Sequence, residues 1–178
     1  MTMPTKITPA ARVTGIAAAL LTLASPAAFA SQADLDLLQS YVGDWTGHGT
    51  TTFSASGNSE TVQCRLGITS PEVTKLQYHG KCAVAGAVLT MNGTVAYDPA
   101  SNRYLAAMTG NTPFAGVAVG RRYGQSLDLS LTDTNKQTGD TYDIASSLAL
   151  TGGDIVVQFE VKNLNTGEVI SAKVPFTK

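Results

Sequence analysis

Histidine is nearly absent from this chain: there are two, His48 and His79, and none follows. A Ser-His-Asp or Cys-His catalytic site would have to use one of them. Neither has metal-ligating neighbours at zinc spacing. Cysteine is equally scarce. Cys64 and Cys82 form no Cys-x-x-Cys motif, so a redox dithiol is disfavoured. Charge is sparse at 14% of residues and almost balanced, with 12 basic against 13 acidic side chains. That excludes the electrostatic footprint of a DNA- or RNA-binding protein and a polybasic membrane anchor. No phosphate-cradling glycine loop opens a helix, and no internal repeat, charge run or linker divides the sequence. Asp140 and Asp143 lie near a turn and read as solvated rather than as a catalytic pair. With no catalytic set assembled, the expectation is a protein that is not an enzyme.

The chain has one long apolar run, at its start. Lys6 and Arg12 precede the stretch from Val13 to Leu23, Pro26 breaks it, and Ala28-Phe29-Ala30 is an A-x-A cleavage site. Residues 1–30 therefore read as a secretory signal peptide, and 31–178 as a single mature domain. Its removal takes two of the 12 basic residues and none of the 13 acidic ones, leaving a net charge of −3. A periplasmic or secreted location is expected, with no membrane span after cleavage.

An oxidising compartment suits the two cysteines. Glu60–Thr69 and Leu76–Val84 both read as strands. The register that places Cys64 opposite Cys82 also sets Val62 against Val84, Leu66 against Gly80 and Ile68 against Tyr78. One apolar face results, which predicts a Cys64–Cys82 disulfide stapling a hairpin.

Ser31-Gln32-Ala33-Asp34 resembles a capping box ahead of one short helix, about 33–41. From there the apolar periodicity is two. Ile144, Ser146, Leu148 and Leu150 alternate with Asp143, Ala145, Ser147 and Ala149. Ile155, Val157, Phe159 and Val161 follow, then Ile170, Ala172, Val174 and Phe176, with turns at 151–154 and 164–167. Asn92-Gly93 reads as either a tight hairpin turn or a bulge within one long strand, the bulge being preferred. The whole pattern predicts an all-β, antiparallel up-and-down barrel of about eight to ten strands.

The helix is followed by Gly43-Asp44-Trp45-Thr46-Gly47-His48-Gly49. A helix followed by Gly-x-Trp at the start of a β-meander resembles the calycin superfamily of lipocalin-like barrels. The longer Gly-x-Trp-x-Gly-x-Gly pattern is similar to the nitrobindin-like haem-binding barrels. The resemblance implies a tryptophan that closes one end and an interior that holds an apolar ligand. It also carries haem as an alternative, but nitrobindin-like barrels ligate haem through a histidine near the C-terminus, which this chain lacks. Tyr104, Tyr123 or Tyr142 would have to replace it. Small secreted barrels that inhibit bacterial metalloproteases share a Trp-containing first strand and a disulfide hairpin. A protein-interaction barrel is therefore the second function class.

The expected function is binding of a small hydrophobic or amphipathic molecule, without a cofactor or metal. The candidate ligand-binding residues are Trp45, Tyr104, Arg121 and Arg122. Consecutive strand residues face opposite ways, so one of the two arginines must point inward. An inward arginine needs a partner: a stack on Trp45, a cross-strand pair with Asp128, or an acidic ligand head group. The sequence leaves these alternatives open. Small residues at Ala106, Ala118 and Gly120 on the same side leave room inside.

Overall fold

The computed structural model describes residues 26–111 and 116–178. One helix, α1 (Pro26–Ser40), precedes ten strands: β1 (Gly43–Phe53), β2 (Asn58–Glu72), β3 (Lys75–Val84), β4 (Ala87–Asp98), β5 (Arg103–Gly110), β6 (Gly116–Tyr123), β7 (Ser126–Thr134), β8 (Thr141–Thr151), β9 (Asp154–Asn163) and β10 (Val169–Thr177). Each strand pairs antiparallel with the next, and β1 pairs with β10, so the sheet is a closed barrel without a free edge. No described helix is long and apolar enough to cross a membrane.

The alternation fixes the registers. Cys64 lies opposite Cys82 and Val62 opposite Val84, and the disulfide is formed. In the C-terminal meander Ile144 faces Val161, and Val161 faces Ile170. A one-residue slip at any of these ladders would turn a whole apolar row outward, which is why the pattern admits one register.

Three local expectations change. The helix starts at Pro26 rather than near residue 33, with proline at its first position, where no amide hydrogen is needed. Ser31 and Asp34 are thus inside α1, not at its cap. The expected leader lies mostly outside the described residues, while the backbone of 28–30 is in α1. Next, β4 runs through Asn92-Gly93 with unbroken pairing on both sides, so there is no bulge there. Gly93 is needed because the Ala107 carbonyl and the Tyr78 phenol lie where its β-carbon would be. The bulge instead falls between Thr69 and Glu72, in the β2–β3 hairpin. It lets β2 continue past the expected turn, to Glu72.

Inward residues are odd-numbered on β1, even on β2 and β3, odd on β4, even on β5 and β6, odd on β7, even on β8, odd on β9 and even on β10. The two ends of this interior differ. At one end Leu37 and Leu38 of α1 and Tyr41, just after it, are buried in one core cluster with Trp45, Ile68, Leu76, Tyr97, Leu127, Ile155 and Phe176. Fully burying such a side chain contributes roughly 1.5–3 kcal/mol, so the helix is held mainly by packing. Gly47 leaves the space that the Phe176 ring and Val174 occupy in this layer. The opposite end carries no plug among the described residues.

Candidate functional site

The closed end is built around Asp34. The third turn of α1 presents this carboxylate, 3% exposed, to the barrel mouth. Arg122, the inward one of the arginine pair, donates from Nε to Asp34 Oδ1 at 2.6 Å. The Tyr104 hydroxyl donates to the same oxygen at 2.9 Å and also lies 3.1 Å from the Asp34 carbonyl. Burial, reinforced by the Asp34 carboxylate, raises the Tyr104 phenol far above its ordinary pKa, so it remains a donor. The Tyr97 ring packs beside Tyr104 at 5.1 Å, and its hydroxyl donates to Asn102.

Trp45 belongs to the same end. It is 3% exposed, and its indole N–H donates to the Tyr41 carbonyl at 2.9 Å. Its cationic neighbour is Lys178, whose Nζ lies 4.6 Å from the ring centroid, rather than either arginine. The Tyr41 hydroxyl in turn donates to the Leu148 carbonyl.

Of the four candidate ligand-binding residues, Tyr104 and Arg122 therefore meet on one Asp34 oxygen, and Trp45 lies at the same end, on the Tyr41 carbonyl. Arg121 does not join them. It faces outward, opposite Asp128, in a shallow groove of about 1000 Å³ that crosses β6–β10 on the outer wall. The expectation of one inward arginine resolves as Arg122, and its partner is a helix carboxylate that the sequence reading had assigned to a cap. Asp34 lies 88 residues from Arg122 and 70 from Tyr104, and no local spacing signals either contact.

The other half of the interior is different. Leu89 on β4, Met108 on β5, Leu131 on β7, Ile144 on β8 and Phe159 on β9 all point inward, yet each is only half-buried. Ile170, near the rim, is 39% exposed. These side chains face the barrel axis and still meet solvent, so this half is incompletely filled, although Thr51, Val62 and Val161 on the same inward rows are buried. Ala106, Ala118, Ser146 and Ala172 lie on the same inward rows and are small, whereas Gly120 is buried, with Leu129 and the Asp128 carbonyl where its β-carbon would be. The Cys64–Cys82 bond lies on the lumen side of the wall, with Cys64 5% exposed.

Both histidines face outward. His48 is opposite Gln63, and His79 is opposite Gly67, both exposed. Among the described residues no three His, Cys, Asp or Glu side chains gather in a way that could hold a metal ion. Tyr104 is committed to Asp34, and Tyr123 is 64% exposed on the outer face.

No family model matches the chain, and no curated protein matches it in sequence. Solved structures resemble it in fold. Rv2717c from M. tuberculosis aligns with a TM-score of 0.60 at 12% identity, covering 82% of this chain and 98% of that one. The S-type phycobiliprotein lyase CPES from Guillardia theta aligns with a TM-score of 0.53 at 9% identity, covering 82% of this chain and 94% of that one. At these identities the likeness is one of fold.

Proposed function

We propose that this chain is an exported, non-catalytic, calycin-like barrel that takes a small hydrophobic or amphipathic molecule into its lumen. The observation that carries this reading is the row of inward but half-buried apolar side chains, Leu89, Met108, Leu131, Ile144 and Phe159, at the end opposite α1. A protein whose interior served only stability would fill that space, because close packing is what stabilises a core. The closed end is the floor of the site: Trp45, Tyr104 and Arg122 seal it by bonding one another's neighbours rather than by reaching a ligand. The disulfide and the leader-like N-terminus support export.

Micromolar affinity corresponds to about 8 kcal/mol. Burial of apolar ligand surface at about 25 cal/mol per Å² can supply much of this without a charged contact. The test is titration with the apolar fluorophore 1-N-phenylnaphthylamine. Saturable enhancement at micromolar concentration is expected, lost in Ile144→Glu and retained in the outer-wall variant Arg121→Ser. No enhancement, or equal enhancement in Ile144→Glu, refutes the reading.

A further inference from the structure

The charge inside the barrel sets which head group its ligand carries. This inference rests on the lumen reading above and specifies it. Across the ten strands, Arg122 is the sole cationic side chain in an inward register among the described residues. It lies at the closed end, and its guanidinium is taken by Asp34 at 2.6 Å, with the carboxylate 5% exposed. A ligand that reached the floor would find a neutralised pair, not a free cation.

The open rim carries the opposite sign. Glu60 continues the inward register of β2, paired with Thr51 and two residues beyond the last β2–β3 pair. Asp133 does the same on β7, paired with Tyr142. The turns at this end add Asp140 and Glu168 against one cation, Lys136. Tyr142 registers this surrounding: partial desolvation, then the Asp140 and Glu168 carboxylates, raise its phenol above the ordinary value.

An entering carboxylate would thus pass an acidic rim and lose its hydration in an apolar lumen, with no free positive partner in an inward strand register among the described residues. Burying an ionised carboxylate without a partner is strongly unfavourable, and the rim field lowers its local concentration. We infer that the lumen selects an uncharged or cationic chain-like molecule and discriminates against an acid of the same length. Arg122 is then a structural latch and not an anchor for an acidic head group.

The experiment is competition against bound 1-N-phenylnaphthylamine at pH 7.5, using decan-1-ol, decyltrimethylammonium and decanoate on the disulfide-bonded protein. Decanol and decyltrimethylammonium should each displace the probe at one-tenth or less of the decanoate concentration. Decanoate displacing at an equal or lower concentration overturns the inference while leaving the ligand-binding reading intact. Failure of the probe to bind at all removes that reading, and this inference with it. A second variant tests the cause. Asp34→Asn removes the negative charge that neutralises Arg122, whose guanidinium also donates to the Gly124 carbonyl at 3.2 Å, and should improve decanoate severalfold relative to decanol. A ratio that stays the same or falls overturns the role given to the Asp34–Arg122 pair.

Discussion

Asp34 Oδ1 accepts hydrogen bonds from Arg122 and Tyr104, on the adjacent strands β6 and β5, at 2.6 and 2.9 Å. One oxygen thereby fastens α1 to two strands. Asp34→Ala removes both bonds and leaves a partly buried guanidinium without its partner. A loss of roughly 2–3 kcal/mol in unfolding free energy is expected. Urea denaturation followed by Trp45 fluorescence measures it. The double variant Asp34→Ala/Arg122→Leu should recover part of the loss, since it removes the orphaned charge. A double variant less stable than the single one would contradict this account.

The disulfide joins directly opposed residues of β2 and β3 and closes a loop with a sequence separation of 18. In the chain-entropy model such a closure contributes about 3 kcal/mol. Cys64→Ala/Cys82→Ala should lower the melting temperature by roughly 10 °C for a domain of this size. Differential scanning calorimetry tests this, and an unchanged melting point would remove the staple from the list of stabilising features.

Ala85 occupies the left-handed region, φ 50°, in the two-residue turn between β3 and β4, with Gly86 beside it at φ 76°. An L-residue pays for that conformation through its β-carbon. Ala85 is exposed, so substitution disturbs no packing. Ala85→Gly or Ala85→Asn should stabilise the protein by about 0.5–1 kcal/mol. Thermal melts of the two variants decide it, and a lowered midpoint in both would refute the strain.

Burial raises the phenols of Tyr41, Tyr78 and Tyr104 above the ordinary value of 10.0, the Asp34 carboxylate adding to the effect at Tyr104. A group whose pKa is higher folded than unfolded contributes stability that is complete below the unfolded pKa. That contribution declines as pH rises above it, because the unfolded chain ionises first. Stability should therefore be flat up to about pH 9 with respect to these groups and fall between pH 10 and 11. Tyr104→Phe should show a shallower alkaline decline despite a lower neutral stability. An equally steep decline would show that these phenols do not control it.

The hairpins were legible because strand alternation is local. Cys64 and Cys82 are aligned by the same parity that aligns Val62 with Val84, and each ladder of the C-terminal meander repeats that constraint. The glycine at 93 misled because its causes, the Ala107 carbonyl and the Tyr78 phenol, lie on other strands. Parity also showed that one of Arg121 and Arg122 must face inward, but not which, since Tyr123 and Gly120 suit either phase. Asp34 was the least legible. A carboxylate three residues after a serine fits a helix cap, and its true partners are brought to it only when β5 and β6 are in place.

The pairing of Thr46 with Thr177 joins residues at almost opposite ends of the folded chain. Every other ladder forms between consecutive strands and can zip as the chain emerges. This last one must wait for β10, and until then β1 and β9 each present a bare row of amides and carbonyls. Truncation before Val169 would make that interval permanent. The shortened protein would keep nine strands and much of its interior, yet expose two adhesive edges to every other copy. The vulnerability of this domain is thus concentrated in its final nine-residue strand. A late frameshift there would be read out as aggregation, even with the inward side chains Leu89, Met108, Leu131, Ile144 and Phe159 retained.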